Sequence, residues 1–310
     1  MKTNTKLVGK SAKFQEILRT AELVAATDAP VLLAGAMGTG KKALAQRIHN
    51  KSNRKQRELV SVNCETLPEE LADALLFGEK DSKKAGYIAQ ARSATLFLDA
   101  VSELSLSVQA KLLHFIENGE VRAVGDTISR KYDVRIISSS YKNLIEEVSA
   151  GNFRSDLFYC LNIVPIDLPE LNKREGDVNL LIEYFFCELV RKQHQAAPSF
   201  TNAALKQIAQ YNWPGNIREL QNFCERLFIL FNGREVDITN LPQEIRNYTK
   251  STRTSPFSLP TEGIQLKDVE IDLIQQALET SRGNKSRAAR LLGLTRDTFL
   301  YRLKKHSINL

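Results

Sequence analysis

Residues 31–41 read Val31-Leu32-Leu33-Ala34-Gly35-Ala36-Met37-Gly38-Thr39-Gly40-Lys41, an apolar run followed by a loop with three glycines and a lysine. The residues that follow, 41–50, carry the pattern of a helix. Glycines let backbone N–H groups turn onto a phosphate, the helix N-terminus adds positive potential, and Lys41 reaches the terminal phosphates. We therefore predict a P-loop that binds ATP or ADP. The alternative is a glycine-rich turn with a solvated lysine.

The alternation of apolar runs and helical patterns continues beyond this loop. Strand-like runs occur at residues 59–63, 94–99 and 132–137, and the first of them alternates apolar and polar side chains with a period of two. Residues 41–50 and 108–118 instead space their apolar side chains along one face of a helix. Strands that alternate with helices predict an α/β fold, with a mostly parallel sheet and helices on both of its faces.

One apolar run, Thr95-Leu96-Phe97-Leu98-Asp99, ends in a carboxylate. An apolar strand that ends in an aspartate is typical of the strand that holds Mg²⁺ beside a bound nucleotide, so Asp99 is the predicted metal ligand. The alternative is a solvated or helix-capping acid. Ala100 comes next, where a hydrolytic enzyme of this kind would place a glutamate to activate water, and alanine cannot accept a proton.

Helical patterns replace the strand-like runs from about residue 173 onward. Trp213-Pro214-Gly215-Asn216 breaks the chain between two of these helices, and a later stretch rich in Ser, Thr and Pro suits a linker. The predicted organisation is an α/β domain at residues 1–172, a small helical domain at 173–248, a linker at 249–262 and a second helical domain at 263–310.

Composition and charge exclude several classes of protein. Lys and Arg number 43 against 36 Asp and Glu, a net charge of +7 over 310 residues. Residues 281–310 hold eight basic residues and one acid, so the whole excess lies there, as expected of a polyanion-binding end. No apolar run approaches the ~18 residues of a membrane span, and the N-terminus lacks the apolar part of a secretion signal. The four cysteines form no C-x-x-C pair. We expect a cytoplasmic protein without membrane contact.

The basic end has the pattern of two short helices, residues 284–293 and 295–305, joined by a turn at Gly293-Leu294-Thr295, and Thr295 is the predicted N-cap of the second helix. A helix-turn-helix places its second helix in the major groove of double-stranded DNA. An apolar helix face that begins at Val269 predicts the pairing of two copies. The alternative for this end is a solvated basic tail. The candidate DNA contacts are Lys285, Ser286, Arg287, Arg296, Thr298, Tyr301, Arg302 and Lys305.

Longer motifs occur in order along the chain: LLFG at 75–78, TLFLD at 95–99, FRSDL at 153–157, LNIVPIDLPEL at 161–171 and WPGNIREL at 213–220. With them the chain resembles the sigma-54-dependent transcriptional activators of bacteria, from about residue 7 to residue 310. The resemblance implies an AAA+ P-loop NTPase core with a parallel sheet, a helical lid domain and a C-terminal Fis-type helix-turn-helix. It also implies that subunits assemble in a ring and that RNA polymerase is a partner.

The resemblance gives roles to individual positions. It implies that Arg154 is an arginine finger reaching a neighbouring subunit's nucleotide and that Arg218 is the sensor arginine of the lid. Asn63 resembles the family's switch asparagine. Ordinary surface ion pairing is the alternative for both arginines. The implied nucleotide-binding set is Gly35, Gly38, Thr39, Gly40, Lys41, Lys42, Asn63, Asp99 and Arg218, with Asp99 on the metal.

The chain departs from the family pattern at positions that serve hydrolysis. Ala100 stands at the position of the catalytic glutamate, and Cys160 at that of the second finger arginine. Ser140-Tyr141 replaces the polar pair of the sensor strand. Ala36 and Lys42 replace acidic residues of the P-loop, so the charge beside the phosphates is reversed after Lys41.

The segment between Gly78 and Gly86 departs as well. The family has a longer loop here, with the motif GAFTGA that touches the sigma factor, and this chain lacks it. We therefore expect a DNA-binding regulator whose degenerate AAA+ domain binds nucleotide and oligomerises, with weak or no ATP hydrolysis and no remodelling of sigma-54 polymerase. Two alternatives stay open: an active, ATP-hydrolysing sigma-54 activator, and a non-catalytic partner subunit of another AAA+ regulator.

Overall fold

The computed structural model describes residues 7–80, 85–249, 263–281 and 283–306. The chain divides into two compact units at residue 250. Most of the predicted linker, residues 250–262, lies outside the described residues, as do residues 81–84 of the segment between Gly78 and Gly86. In the described part of the chain, no helix is both long enough and apolar enough to cross a bilayer.

A parallel sheet forms the centre of the first unit. The strands of this part of the chain are β1 (Val31–Ala34), β2 (Val60–Asn63), β3 (Thr95–Asp99), β4 (Glu120–Arg122), β5 (Ser129–Lys131), β6 (Arg135–Ser140) and β7 (Val164–Asp167). In the described residues the sheet has the order β2-β3-β6-β1-β7, with every neighbouring pair parallel, while β4 and β5 form a separate hairpin. Parallel register brings the carboxyl ends of the strands to one edge, where loops carry the functional side chains.

Helices cover both faces of this sheet because successive strand residues point to opposite sides. In β3, Leu96 and Leu98 enter one apolar cluster while Phe97 enters the other. The predicted α/β class with a parallel sheet is confirmed. The helices of this part are α1 (Ala12–Ala25), α2 (Lys41–Lys51), α3 (Glu69–Phe77), α4 (Tyr87–Gln90), α5 (Leu106–Asn118), α6 (Leu144–Ser149) and α7 (Ser155–Leu161).

One predicted strand was wrong in its bounds. The run at residues 132–137 predicted a strand from Tyr132, but β6 starts at Arg135 and continues to Ser140. The Tyr132 amide instead donates to the carbonyl of Gly119, beside the β4–β5 hairpin. The polar end of β6 is fully buried although its side chains are serines, and apolar patterning alone does not detect such a strand.

The β4–β5 hairpin and the short segment after α3 hold each other in place. The Lys80 amide donates to the carbonyl of Val124, and the Val124 amide donates to that of Gly78, at 3.0 and 2.8 Å. Gly78 has a φ of 89°, and a side chain at Gly86 would lie 2.4 Å from the Gly78 nitrogen, so the two ends of the segment need glycine. The described residues at the start of the segment, Gly78 to Lys80, are therefore held against the hairpin.

The rest of the first unit is mainly helical, as predicted for residues 173–248. Its core surrounds Trp213, which is 1% exposed and donates from its indole nitrogen to the carbonyl of Ile208. Two short parallel strands, which the sequence did not indicate, pair Ser199 with Glu235. The elements are α8 (Asp177–Gln193), β8 (Ser199–Phe200), α9 (Asn202–Gln210), α10 (Asn216–Leu230), β9 (Glu235–Val236) and α11 (Gln243–Arg246).

The second unit contains three described helices, α12 (Leu266–Thr280), α13 (Lys285–Leu291) and α14 (Arg296–Lys305), close to their predicted positions. Their shared core includes Ile274, Ala288 and Phe299. The predicted cap of α14 is present, because the Thr295 hydroxyl accepts from the Thr298 amide. The C-terminal helices thus have the predicted helix-turn-helix order.

Candidate functional site

The glycine loop between β1 and α2 adopts backbone conformations that side chains would resist. Gly35, Gly38 and Gly40 have φ values of 141°, 76° and 101°. A side chain at Gly38 would also meet the carbonyl oxygen of Gly215 at 2.2 Å. Within the described residues, the amides of Gly38 and Gly40 donate to no backbone acceptor. Unpaired N–H groups at a helix N-terminus fit a phosphate.

Lys41, the first residue of α2, is only 9% exposed. Its Nζ donates to the carbonyls of Gly35 and Ala36 at 2.6 and 3.0 Å, so the ammonium folds into the concave side of the loop. Burial lowers the pKa of Lys41, Arg218 lowers it further, and Asp99 acts in the opposite direction. A cation in such a loop is matched to an anion with several oxygens.

The other side chains of the loop point elsewhere. The buried Thr39 hydroxyl donates to the Ala36 carbonyl at 2.9 Å and closes the turn. Lys42 is exposed and lies one position past the loop lysine. It brings no hydroxyl to the position that usually supplies a metal ligand.

The lid contacts the loop directly through the start of α10. The Asn216 side chain donates to the Met37 carbonyl at 2.9 Å, and the Ile217 amide donates to the Gly38 carbonyl at 3.0 Å. Arg218 follows, exposed, with its Cβ 3.4 Å from the position of a Cβ at Gly38. The lid arginine and the phosphate loop are therefore brought together, as the resemblance implies.

Asp99 and Asn63 end neighbouring strands and lie opposite each other in the register of β2 and β3. One oxygen of Asp99 accepts from the Ser139 hydroxyl at 2.5 Å. Asn63 accepts from the Glu65 amide at 3.2 Å. Mg²⁺ commonly takes one or two carboxylates and completes its shell with phosphate oxygens and water. The second oxygen of Asp99, at the same strand edge as the loop, fits that mode of binding.

Ala100 has a left-handed backbone, φ 59° and ψ 53°, and is 6% exposed. Its amide donates to the Ser139 hydroxyl at 3.1 Å, so one serine contacts both Asp99 and Ala100. The methyl group has no atom that accepts a proton. The residue next to the predicted metal ligand therefore contributes no general base.

Glu103 is the first carboxylate after Ala100 in the chain, and both of its oxygens already have partners. Oε1 accepts from the Tyr141 hydroxyl at 2.9 Å, and Oε1 also lies 2.8 Å from the Lys142 ammonium. Burial acts to raise the pKa of Glu103, but the bonds from Lys142, Tyr141 and Ser102 outweigh it and lower the pKa. Glu103 is thus a charged anchor for the end of β6.

Arg154 lies at the N-cap of α7 and is exposed. Its guanidinium makes a bidentate pair with Asp156, with bonds of 3.1 and 2.7 Å. Its amide donates to the buried Gln109 side chain, which fixes the backbone there. Cys160 follows on the same helix, half-buried. The structure thus presents Arg154 outward on a fixed backbone.

Sequence reasoning missed a buried clamp between the N-terminal segment and the lid. One Asp177 oxygen accepts from the amides of Lys10 and Ser11 at 2.6 and 3.1 Å. The other accepts from Arg174 at 2.9 Å, and that guanidinium also donates to the Val8 carbonyl. Arg174 and Asp177 are both essentially unexposed, at 1% and 0% of their side chains. Their i, i+3 spacing at the start of α8 was the available signal.

The predicted DNA contacts mostly lie on the surface of the second unit. Seven of the eight are exposed: Lys285, Ser286, Arg287, Arg296, Thr298, Tyr301 and Lys305. Arg302 is half-buried instead, because it pairs with Glu270 of α12. Glu270 also lies 3.2 Å from His306. Burial acts to raise the pKa of Glu270, but these two bonds outweigh it and lower the pKa.

Comparison with protein families assigns nearly the whole chain. Residues 7–167 match the sigma-54 interaction domain. Residues 172–256 match the AAA+ ATPase lid domain. Residues 265–306 match the Fis family of bacterial regulatory proteins.

Curated relatives align over the same extent. The transcriptional regulatory protein ZraR of Salmonella typhimurium is 39% identical over 306 residues, which cover 96% of this chain and 68% of ZraR. The nitrogen fixation protein AnfA of Azotobacter vinelandii is 37% identical over 310 residues, covering 98% of this chain and 58% of AnfA.

Among solved structures, NtrX from Brucella abortus in complex with ATP superposes with a TM-score of 0.74 at 31% identity, covering 98% of this chain and 69% of NtrX. The same protein in complex with ADP gives the same score at 30% identity. With its P-loop sheet, lid and helix-turn-helix matched in this order, the chain belongs to the sigma-54-dependent transcriptional activators.

Proposed function

We propose that this chain is a DNA-binding transcription regulator whose AAA+ domain binds ATP or ADP but hydrolyses ATP weakly or not at all. It has an α/β domain to residue 172, a lid at 173–248, a linker at 249–262 and a DNA-binding domain at 263–310. It acts in the cytoplasm, where bacterial DNA lies.

Nucleotide binding is supported by the geometry of the loop. Within the described chain the amides of Gly38 and Gly40 have no backbone acceptor, Lys41 supplies a cation on the concave side, and Arg218 approaches from the lid. Solved structures of the related NtrX contain ATP and ADP. Asp99 would hold Mg²⁺, which would supply positive charge to the phosphates when bound. Two further residues belong to the proposed nucleotide-binding set: Lys42, directly after the loop, and Asn63, at the end of β2.

Weak hydrolysis is supported above all by Ala100. A general base contributes about 10²- to 10⁴-fold to a rate, and the buried methyl of Ala100 supplies none. Glu103 cannot readily substitute, because Tyr141 and Lys142 both bind its carboxylate. The second finger position holds Cys160, which carries no positive charge to stabilise a transition state.

Lost contact with the sigma factor is supported by the segment after α3. Gly78 and Lys80 bond to the tip of the β4–β5 hairpin at Val124, so the start of the segment lies against the hairpin. The chain has no GAFTGA motif there. We therefore propose that this regulator acts at DNA without opening the sigma-54 promoter complex.

The decisive experiment measures nucleotide affinity and ATP turnover on the same purified chain. We expect micromolar-range ATP or ADP binding that Lys41→Ala abolishes, and turnover well below about 1 s⁻¹, the lower end of ordinary enzyme rates. Ala100→Glu should raise turnover by up to roughly 10²-fold if the missing base limits the rate.

Two results contradict this proposal. Wild-type turnover at or above about 1 s⁻¹ would show that other residues replace the lost glutamate. The chain would then be an active sigma-54 activator, and transcript formation with sigma-54 polymerase would establish it. An Ala100→Glu variant no faster than wild type would remove Ala100 as the cause of slow turnover.

A second candidate function is favoured by the exposed Arg154. Gln109 fixes the backbone amide of Arg154, and the guanidinium is exposed in a pair with Asp156. Such an arginine, on a chain whose Ala100 supplies no general base, suits a subunit that completes the site of a catalytic neighbour in a mixed ring. Mixing this chain with an active family member should raise the ATPase rate per active subunit. The Arg154→Ala variant should lose that stimulation, and equal stimulation by both chains would exclude this function.

A further inference from the structure

The basic surface of the second unit contains one acid that nothing so far explains. Asp297 is the only Asp or Glu among residues 281–310, against eight Lys and Arg. It lies in the first turn of α14 and is exposed. Among the described residues, no group donates a hydrogen bond to its carboxylate or pairs with it. A free carboxylate on a surface that meets phosphates lowers affinity for every DNA sequence.

Asp297 faces the same way as the proposed DNA contacts. Phe299 and Leu303 are 0% and 6% exposed and fix the inward side of α14. At about 100° per residue, Asp297 and Tyr301 fall on the opposite side, one helical turn apart. Tyr301 is 68% exposed. Arg302 lies at the margin of this surface, where it pairs with Glu270. Asp297 is therefore near the centre of the outward surface.

Base chemistry identifies what such a carboxylate can meet. An ionised carboxylate only accepts hydrogen bonds. In the major groove, the donors are the N4 amino group of cytosine and the N6 amino group of adenine. Adenine places the N7 acceptor beside its amino group, which repels a carboxylate, whereas cytosine has no acceptor there. Guanine and thymine present acceptors and a methyl group.

We propose that Asp297 is a specificity-determining residue that accepts a hydrogen bond from the N4 amino group of a cytosine in the recognised site. The inference rests on the proposed DNA binding through α14. The same carboxylate rejects guanine and thymine, which offer it no donor in the major groove, and disfavours adenine, whose N7 acceptor lies beside the amino group. Asp297 therefore distinguishes between DNA sites according to the base at this position, instead of only lowering the affinity for all of them.

A purely local role is the competing explanation. An acid in the first turn of a helix is favourable toward the positive end of the helix dipole. That role would affect the stability of α14 and binding to all sequences alike. It would not alter which base is preferred. The two explanations therefore differ in base preference, which a selection experiment measures.

The test selects sites from a library of randomised DNA duplexes with the purified full chain and with the variants Asp297→Asn and Asp297→Ala. We expect one cytosine position to change to adenine in Asp297→Asn, since asparagine bonds adenine at N6 and N7. The same position should lose its preference in Asp297→Ala. In Asp297→Asn, the affinity for the cytosine site should be about 5- to 100-fold lower than the affinity for the adenine site.

Asp268→Asn is the matched control, because Asp268 is an exposed acid in the first turn of α12. It should retain the wild-type preference. Unchanged preferences in both Asp297 variants, or a wild type that binds every sequence equally, would overturn the inference while leaving DNA binding intact. Absence of any salt-sensitive binding by the wild type would instead overturn the proposed DNA-binding function, and this inference with it.

Discussion

The side-chain amide of Asn216 donates a hydrogen bond of 2.9 Å to the carbonyl of Met37, which joins the lid to the phosphate loop. Its oxygen accepts from the amide of Leu171 at 2.8 Å, so both ends of the amide are paired. Asn216 is 1% exposed and has a φ of 53°. Asparagine tolerates this left-handed conformation better than most residues, which explains its place in the WPGN turn. Asn216 therefore supplies one hydrogen bond that joins the lid to the loop, and the Ile217 amide supplies another.

Two substitutions at Asn216 should measure separately how much its hydrogen bonds and its tolerance of the left-handed backbone contribute to stability. Asn216→Gly keeps an unstrained backbone but leaves the buried Leu171 amide unpaired, at a cost of about 1–3 kcal/mol. Asn216→Ala should lose roughly 1 kcal/mol more, because a Cβ is disfavoured at positive φ. Urea unfolding of wild type and both variants measures the two steps. Nucleotide affinity, by titration, should fall in both variants because the lid no longer fixes Met37.

Equal stability of the glycine and alanine variants would show that the backbone relaxes out of the left-handed region. Retained nucleotide affinity in both would show that Ile217, which bonds the Gly38 carbonyl, suffices to hold the lid. Asn222→Ala, an exposed position on the same helix, is the matched control and should change neither quantity.

The buried pair of Arg174 and Asp177 should make stability depend on pH. Burial acts to raise the pKa of Asp177, but bonds from the Lys10 amide, from Arg174 and from Ser11 outweigh it and lower the pKa. A carboxyl with a lowered pKa stabilises the fold above its unfolded value, about 3.9. This contribution is lost as the pH falls through the folded pKa. The free energy of unfolding should therefore decrease below about pH 4.

Asp177→Asn tests this pair directly. At pH 7 it leaves the Arg174 charge buried without a partner, which should cost about 3–5 kcal/mol of unfolding free energy. The difference in unfolding free energy between wild type and variant should become smaller in acid, where wild-type Asp177 is protonated. A double variant, Arg174→Met with Asp177→Asn, should lose less than the single one, since no charge stays buried. If the difference in unfolding free energy did not depend on pH, the charge of the Asp177 carboxylate would contribute nothing to stability.

Some of these features could be predicted from the sequence because their signals are local. Apolar runs placed β1 and β3 within one residue of their bounds, and three glycines before Lys41 located the loop. Capping chemistry located the start of α14 at Thr295. Each of these signals is contained in a few consecutive residues, where propensity and spacing decide the structure.

The partners of the site could not be predicted because they are distant in the chain. Ser139 and Asp99 are 40 positions apart, Lys10 and Asp177 are 167 apart, and Met37 and Asn216 are 179 apart. Side-chain pairs of this kind depend on how the folded elements approach, which periodicity does not contain. Arg302 is a further example. The sequence predicts it as a DNA contact, and its pairing with Glu270 is visible only in the folded structure.

Replacing Ala100 with glycine should stabilise the folded protein. The left-handed conformation costs an L-residue roughly 1–2 kcal/mol, and glycine relieves this strain. Part of the stabilisation is offset because glycine has more conformational freedom in the unfolded chain. We expect Ala100→Gly to raise the free energy of unfolding by about 0.5–1 kcal/mol, with no gain in ATP turnover. Ser93→Gly, at another positive φ of 58°, is the matched control and should be stabilised similarly. A destabilised Ala100→Gly would mean that the methyl contributes packing that exceeds the strain.

Glu270 should restrain Arg302 from contacting DNA phosphates. Glu270→Gln removes the charge that pairs with Arg302, and the freed guanidinium can reach a phosphate. We expect stronger binding to unrelated duplexes and a steeper salt dependence, by about 0.9 in the slope of log affinity against log salt. Fluorescence anisotropy over a salt series measures both. Glu279→Gln, an exposed acid on the same helix, removes the same charge without touching Arg302. An identical slope change in the two variants would attribute the effect to net charge, and the pairing of Glu270 with Arg302 would then have no role in DNA binding.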